Sequence, residues 1–446
     1  MSDGRDTGAK ARIAACLLIG LNLAYRVFLA GFFARYPVDA RAPGSDESGY
    51  LNLARNLGSW LAHGNSCKGP VYPAFLKLCF ALRLPDFAIS LLQHGAILGA
   101  LAFFLMTVLR PGQARLLWFA LLCWYGPFIT HPNGYMTETL TAAIHLIAIA
   151  GLYRAIHTGN ARRIWISALI FSIGALIRSN FLVFFPVILL ACTTLRIVRL
   201  RTAAIALLIF ILPVGGWFAR NLAIQGRPFF NSVGGEMIYF TTRRLVRDCD
   251  VRDTACYARV LGPEMPAAFS VPGDKLWIRM QYFDNTNLQL PVGAGYPWMN
   301  DLEAHQKYMA MARENLRFYL SHHPALLLNY GVAWVTNLLG THEATLEYVA
   351  YRNNPDPLEV PGLVPLEKLA RAFDLFFFGL AAFAWTAGIR SLVRRRLTDG
   401  ARLLLVSGAL LWLFPMLIDG TGRLTMIFVL LSAVLALALR DSTQTS

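Results

Sequence analysis

Charged residues are scarce in this sequence, and their scarcity excludes most soluble folds. Asp, Glu, Lys and Arg make up 15% of the 446 residues, whereas a soluble globular protein usually carries about 25%. Hydrophobic residues make up 56%, and long apolar runs recur along most of the chain. Because a backbone inside lipid must satisfy its own hydrogen bonds, such runs predict helices. We therefore expect an all-α polytopic membrane protein surrounded by a lipid bilayer.

Acidic residues are fewer than basic ones, 26 against 41, which gives a formal net charge of +15. The arginines cluster in short segments between the apolar runs, as in 154–163 and 196–201. Cytoplasmic loops of membrane proteins carry this kind of excess. The positive charge therefore indicates orientation, and we expect no nucleic-acid partner.

Three further patterns are missing: a cleavable signal peptide, a zinc-type spacing of Cys and His, and an internal repeat. A short polar segment precedes an apolar run from Ile13 to Phe33, which predicts a start-transfer helix with a cytoplasmic N-terminus. Of seven cysteines, Cys249 and Cys256 lie close together in a polar stretch. If that stretch is outside the cytoplasm, we expect a disulfide between them.

The pattern of apolar and polar segments predicts three parts: a transmembrane module over 1–221, a periplasmic loop region over 222–366, and C-terminal spans over 367–446. A helix is expected over 301–320. About ten spans with both termini cytoplasmic are expected, near 13–33, 87–109, 116–130, a fourth ending at Tyr153, 164–177, a sixth returning to Arg196, 203–218, 369–389, 403–417 and 424–439. Segment 325–339 is only marginally long enough to cross, and we interpret it as interfacial or buried.

The stretch from Ser45 to Phe75 contains the most informative polar residues. Asp46 and Glu47 open a predicted amphipathic helix in the first outer loop, and Lys68-Gly69-Pro70 forms a turn after it. Placing a carboxylate on the packed side of an interfacial helix is costly, which favours a function for it. The alternative is that Asp46 only caps the helix, since acids are favoured at helix N-termini.

Acids and bases collect on the predicted outer face, at the membrane ends of the spans. Such a set suits acid–base activation of an acceptor next to an anionic leaving group, whose charge Lys and Arg would stabilise. Each residue also has an ordinary explanation as a helix cap or an interfacial side chain. The candidates are Asp46, Glu47, Lys68, Glu138, Arg178, Arg220 and Arg423.

Several short motifs in this order resemble those of the GT-C glycosyltransferase superfamily, in the branch of protein O-mannosyltransferases and lipid A aminoarabinose transferases. They cover most of the chain outside the long loop. The Lys68-Gly69-Pro70 turn differs from the Lys-Pro-Pro form of the aminoarabinose enzymes, so the acceptor stays open. The motifs are Asp46-Glu47 with Tyr50 to Arg55, Gly69 to Pro73, Thr137 to Leu140, Gly174 to Arg178, Gly216 to Asn221, and Gly422 to Leu424.

The resemblance implies a GT-C fold and transfer of a sugar from a polyprenyl-phosphate donor, such as undecaprenyl phosphate, to a protein, lipid A or an envelope glycan. It implies Asp46 as catalytic base, assisted by Glu47 and Glu138. Lys68, Arg178, Arg220 and Arg423 would bind the donor phosphate, and Tyr50, Tyr72 and Asn221 the substrate. No metal or cofactor is predicted. A lipid or glycolipid flippase is the alternative, although its expected repeat symmetry is not apparent.

Overall fold

In the computed structural model, every regular element of the described residues is a helix. The described residues are 3–34, 46–63, 68–109, 111–179, 181–230, 238–239, 241–243, 245–246, 249, 253–270, 301–329, 376, 379–392, 397–418 and 432. This confirms the all-α prediction for that part of the chain.

Among the described residues before position 230, the chain forms eleven α-helices. Their bounds are α1 (Asp3–Phe33), α2 (Asp46–Arg55), α3 (Leu57–His63), α4 (Val71–Ala81), α5 (Asp86–Val108), α6 (Gln113–Leu122), α7 (Gly126–Thr130), α8 (Glu138–Thr158), α9 (Ala161–Ile177), α10 (Phe181–Thr194) and α11 (Leu200–Gln225). A 3₁₀ turn, His131–Asn133, follows α7. Further along lie α12 (Thr254–Leu261), α13 (Asp301–His322) and α14 (Asp399–Ile418), and residues 379–392 are also mainly helical.

Four of the described helices are long and apolar enough to cross a membrane. They contain Gly8–Phe33, Asp86–Val108, Glu138–Thr158 and Leu200–Ile224. At about 1.5 Å per residue, each exceeds the roughly 30 Å of a hydrocarbon core. Helices α9 and α10 lie at the predicted fifth and sixth spans, and with 17 and 14 residues they are shorter than these four helices. A multi-pass membrane protein is therefore supported, and the count of ten spans stays a prediction.

The predicted third span, 116–130, is wrong as a single helix. The chain forms α6 and α7 instead, separated by residues 123–125. Pro127 lies at the start of α7, and proline has no N–H to continue a helix from the preceding turn. The backbone carbonyls around this break therefore need donors from elsewhere in the protein.

Helix α8 lies at the centre of the bundle. It packs against α5 on one side and α9 on another, and α11 packs against α9. The turn between α8 and α9 is capped on both sides by local residues. Gly159 ends α8 in the left-handed conformation, and Asn160 accepts a bond from the N–H of Arg162 to begin α9. The opposite end, where α5 and α8 begin and α9 ends, is called the Glu138 end below.

The described part of the polar region around α12 and α13 has a small core of its own, built on Leu245, Tyr257, Phe269 and Tyr319. A disulfide joins Cys249 to Cys256. Helix α13 extends over Asp301–His322, which confirms the helix expected over 301–320. The predictions for 330–375, for the last span at 424–439 and for the three-part division rest partly or wholly on residues outside the described part.

Candidate active site

A buried ion pair lies at the Glu138 end of the bundle. Glu138 is the first residue of α8 and Arg178 directly follows α9. Arg178 Nη1 lies 2.9 Å from Glu138 Oε1, and the two side chains are 21% and 3% exposed. The same Nη1 donates to Thr137 Oγ1 over 3.1 Å. The pair therefore fixes the start of α8 against the end of α9, with its cationic member nearer the surface.

A second carboxylate, from α2, contacts the segment that precedes α8. Glu47 is buried, and its Oε1 accepts a hydrogen bond of 3.2 Å from the backbone N–H of Tyr135. Gly134 makes this approach possible, because a Cβ at that position would collide with the same oxygen. The segment 131–137 is called the link below. Glu47 contacts it at Tyr135, and Glu138 directly follows it at the start of α8. Sequence alone predicted both acids for the site but not this backbone contact.

The predicted turn Lys68-Gly69-Pro70 packs against the end of α9. A Cβ on Gly69 would collide with the backbone carbonyl of Leu176, so only glycine allows this approach. The ammonium group of Lys68 lies 4.0 Å from the centre of the Tyr50 ring. Since Arg178 follows α9 directly, the close approach of Gly69 brings two cationic residues, Lys68 and Arg178, to the same end of the bundle.

Tyr72 connects the turn to the membrane helices. Its ring meets Tyr50 edge-on, with 5.0 Å between centroids, and its hydroxyl donates to Gln93 Oε1 over 3.2 Å. Burial raises the pKa of Tyr72 well above its usual value, and the carboxylate of Glu47 adds to the effect. Tyr72 therefore stays protonated at physiological pH and acts as a hydrogen-bond donor.

Two of the predicted site residues fall outside what the structure describes. The backbone of Asp46 begins α2, but its side chain lies outside the described part. Arg423 lies wholly outside it. Their roles as base and phosphate ligand stay predictions.

Arg220 and Asn221 lie at a separate place, where α11 meets the end of α3. Arg220 donates to the carbonyls of Trp60 and Leu61 over 2.6 and 3.0 Å, and stacks 4.8 Å from Trp217. Asn221 accepts a bond of 2.8 Å from Arg220, and donates to the carbonyls of 229 and 230. These contacts show both side chains holding backbone carbonyls in place.

A buried polar network that the sequence analysis did not identify lies on the other side of the link. Arg26, in the middle of an apolar run in α1, is 1% exposed. Its guanidinium donates to the carbonyls of Cys123 and Phe128 over 2.6 and 2.5 Å. These bonds supply donors to carbonyl groups at the break between α6 and α7. It also contacts His94 Nδ1 over 2.8 Å, and His94 Nε2 contacts Asn133 Oδ1 over 3.1 Å.

Gln93, next to His94 on α5, holds the link directly. Its amide nitrogen donates to the carbonyls of Pro132 and Gly134 over 3.0 and 3.1 Å. The sequence does contain a signal for these residues, because ionisable and amide side chains inside membrane spans mark buried polar contacts. Arg26, Gln93 and His94 each interrupt an otherwise apolar run.

The site brings carboxylates and cations from four separate segments to one end of the bundle. Carboxylates can take a proton from a hydroxyl or amine, and Lys and Arg can stabilise an anionic oxygen. Within the described residues, no three His, Cys, Asp or Glu side chains are placed to hold a metal ion. The set is suited to acid–base chemistry beside an anion.

Comparison with known proteins gives little further guidance. No protein-family model matches the sequence, and no curated protein matches it. One similar solved structure is ArnT from Cupriavidus metallidurans bound to undecaprenyl phosphate, at 14% sequence identity and a TM-score of 0.35. The alignment covers 95% of this chain and 77% of that one. So low a TM-score supports no argument about this chain.

Proposed function

We propose that this protein is an integral membrane glycosyltransferase that moves a sugar from a polyprenyl-phosphate donor to an acceptor at the periplasmic face of the inner membrane. The observation that carries the proposal is the Glu138–Arg178 pair at the end of the bundle where Glu47 contacts Tyr135 and Lys68 contacts Tyr50. The order of motifs from Asp46 to Arg220 supports the same function.

In this mechanism, proton transfer and phosphate binding are carried out by different residues. Asp46 accepts the proton of the acceptor hydroxyl or amine as that atom attacks the anomeric carbon. The bond from that carbon to the phosphate oxygen breaks, and the polyprenyl phosphate leaves with its electron pair. Lys68 and the exposed part of the Arg178 guanidinium stabilise the departing phosphate. Glu138 and Glu47 hold Arg178 and the link in position.

The contacts of Arg220 favour a positioning role for it over phosphate binding. Two of its nitrogens already donate to carbonyls that end α3. Lys68 follows α3 in the sequence. By holding the end of α3, Arg220 would help to position Lys68, and it would act on the phosphate through Lys68. Arg423 remains a proposed phosphate ligand on the strength of its motif alone.

The experiment is mass spectrometry of envelope lipids, glycans and surface proteins from cells with and without the gene. Transfer predicts the loss of one sugar mass from one species when the gene is deleted, restored by the wild-type gene. An identical set of glycosylated species in both strains would overturn the proposal.

One observation favours a second function, movement of a lipid or glycolipid across the membrane. Transporters use interrupted helices with polar residues at depth, and the α6–α7 break next to Arg26 has this character. A flippase predicts that the deletion strain accumulates a lipid intermediate. The purified protein in liposomes would then move that lipid between leaflets without changing its mass.

A further inference from the structure

One face of α5 holds the link in place. Polar side chains recur on α5 at spacings of three and four residues, which place them on one face of a helix. Each of them makes a hydrogen bond to the link, through Tyr135, through Asn133 or through the backbone. These side chains are Asp86, Ser90, Gln93 and His94. Helix α5 therefore fixes the middle of the link, residues 132–135.

Gln93 differs from the other three because it bonds to the link backbone. It is 1% exposed, and its Nε2 donates to the carbonyls of Pro132 and Gly134 over 3.0 and 3.1 Å. Because a carbonyl can only accept, the nitrogen of the amide must face the link. The oxygen then faces Tyr72, whose hydroxyl donates to it over 3.2 Å. Tyr72 therefore favours the orientation of the amide in which the nitrogen bonds to the link.

The bond to the Gly134 carbonyl also sets the direction of the next N–H group. The C=O of Gly134 and the N–H of Tyr135 belong to one planar peptide unit, and in a trans peptide they point in opposite directions. Gln93 holds the C=O toward α5, so the N–H points away from α5, where it donates to Glu47 Oε1 over 3.2 Å. Hydrogen bonds at the two ends of one peptide polarise and strengthen each other. The place of Glu47 thus depends on Gln93.

The same residue reaches α2 by a second route. Tyr50, one turn after Glu47 on α2, meets the ring of Tyr72 edge-on with 5.0 Å between centroids. Tyr72 in turn bonds to Gln93. The contacts therefore form a closed cycle, from Gln93 through the two tyrosines to α2 and back from Glu47 through the link. Glu47 directly follows Asp46, so this cycle fixes the first turn of the helix that carries the proposed base.

We propose that Gln93 is a positioning residue for the transfer reaction. It holds the peptide between Gly134 and Tyr135 in the orientation that places Glu47, and with Glu47 the first turn of α2. The effect of Gln93 on transfer rests on the proposed function, whereas its effect on the link does not.

The first test is amide hydrogen exchange of the full-length protein in lipid nanodiscs, measured by mass spectrometry for the wild type and for Gln93→Met. Methionine has nearly the same length and shape but cannot donate to the link. Exchange in 131–137 and 46–55 should become faster by about tenfold, because the bond to Glu47 loses its fixed donor. An unchanged exchange rate in 131–137 would overturn the inference.

A matched control lies at the other end of α5. Thr107 Oγ1 donates to the carbonyl of Phe103 over 2.8 Å, so Thr107→Val also removes a side-chain bond to a backbone carbonyl without changing the shape of the side chain. This variant should leave exchange in 131–137 and 46–55 unchanged. Equal acceleration by both variants would mean a general loosening of α5 and would contradict a specific role of Gln93.

The second measurement is transfer kinetics. Gln93→Met should lower kcat by about tenfold or more and change the KM for the donor by less than about threefold, because Lys68 and Arg178 are the proposed phosphate ligands. If Gln93 acts through Glu47, the double variant Glu47→Gln, Gln93→Met should be no slower than Glu47→Gln alone. Multiplied losses in the double variant would show a separate route and overturn the inference.

Gln93→Asn provides the same tests with a smaller disturbance, should Gln93→Met not fold. It keeps an amide inside the bundle but shortens the side chain by one methylene group, so the amide no longer reaches the link from the same backbone position. The same two segments should exchange faster, and the same fall in kcat is expected. Wild-type exchange and kcat in this variant would overturn the inference.

Because exchange requires no turnover, the two proposals fail separately. Faster exchange in Gln93→Met, together with a wild type that transfers no sugar, would uphold the role of Gln93 in placing Glu47 and reject the transferase. Transfer by the wild type and by Gln93→Met at the same rate would reject the positioning role alone.

Discussion

The Glu138 pair and the Arg26 network both contact the link, at Thr137 and Asn133, and each contains an arginine. Arg178 meets a carboxylate and keeps 21% of its side chain exposed. Arg26 is 1% exposed and donates to carbonyls of the α6–α7 break. Each arginine is satisfied, but by chemically different partners.

The difference teaches that burial of a charge does not by itself identify a site. The described contacts of Arg26 go to the protein's own backbone and to Asn22 and His94, so they explain it as a structural residue. Arg178 lies at a membrane end, paired with Glu138, where a ligand's charge could join the arrangement. The partners and the depth of the charge decide between the two roles.

The largest effect is expected for Arg26→Met. This change removes the Arg26 donor from the carbonyl of Phe128 and leaves the carbonyl of Cys123 with the bond from Asn22 Nδ2, at a cost of about 3 kcal/mol or more. The measurement is the temperature at which the purified protein unfolds in detergent. Arg162→Met, on an exposed position of α9, should change that temperature little. Equal unfolding temperatures would show that Arg26 does not support the break.

The next effect is an asymmetry within the ion pair. Arg178→Gln leaves the nearly buried Glu138 without this cation and should cost about 3 kcal/mol. Glu138→Gln keeps an acceptor oxygen and leaves Arg178 a route to solvent, so about 1 kcal/mol is expected. Thermal unfolding of both single variants and the double variant measures their coupling. Additive effects would mean that the pair does not interact.

A smaller stability effect but a large effect on transfer is expected for Gly134→Ala. The added Cβ displaces the Glu47 carboxylate, which should cost about 1–2 kcal/mol of stability. Transfer should fall by about a hundredfold because the reacting groups are misplaced. Gly99→Ala, a helical glycine with room for a Cβ, is the control and should retain full transfer. Normal transfer by Gly134→Ala would remove Glu47 from the site.

The smallest effect is expected for Arg220→Lys. A lysine retains the charge but cannot donate to the carbonyls of Trp60 and Leu61 with the same forked geometry, at a cost of about 1 kcal/mol. A positioning role predicts reduced turnover at an unchanged KM for the donor. A raised KM with unchanged unfolding temperature would assign Arg220 to the phosphate instead.

Much of the bundle was predictable because its signals are local. The lengths of the apolar runs predicted α5 and α8, and the helix expected over 301–320 is most of α13. Glu138 and Arg178 were both placed on the predicted outer face, but their pairing was not predicted. The α6–α7 break was missed even though Pro127 signals it, because the run around it is apolar enough to suggest a continuous span.

Other features depend on tertiary contacts that a sequence does not reveal. The role of Arg26 is set by carbonyls about a hundred positions away in the chain. Arg220 has the same residue type and predicted side as Arg178, yet it meets a helix end rather than an acid. The hydrogen bond from the Tyr135 hydroxyl to Asp86 joins residues 49 positions apart in the chain.

The most direct test of the proposed transferase is turnover of a polyprenyl-phosphate-linked sugar by the purified protein in liposomes containing envelope extract. The released polyprenyl phosphate and the glycosylated product are measured together, for the wild type and for Asp46→Asn. We predict that the wild type transfers the sugar. We predict that Asp46→Asn inserts and binds the donor but transfers nothing. A fully active Asp46→Asn protein would contradict the role of Asp46 as base, and a wild type that releases no polyprenyl phosphate would contradict the transferase itself.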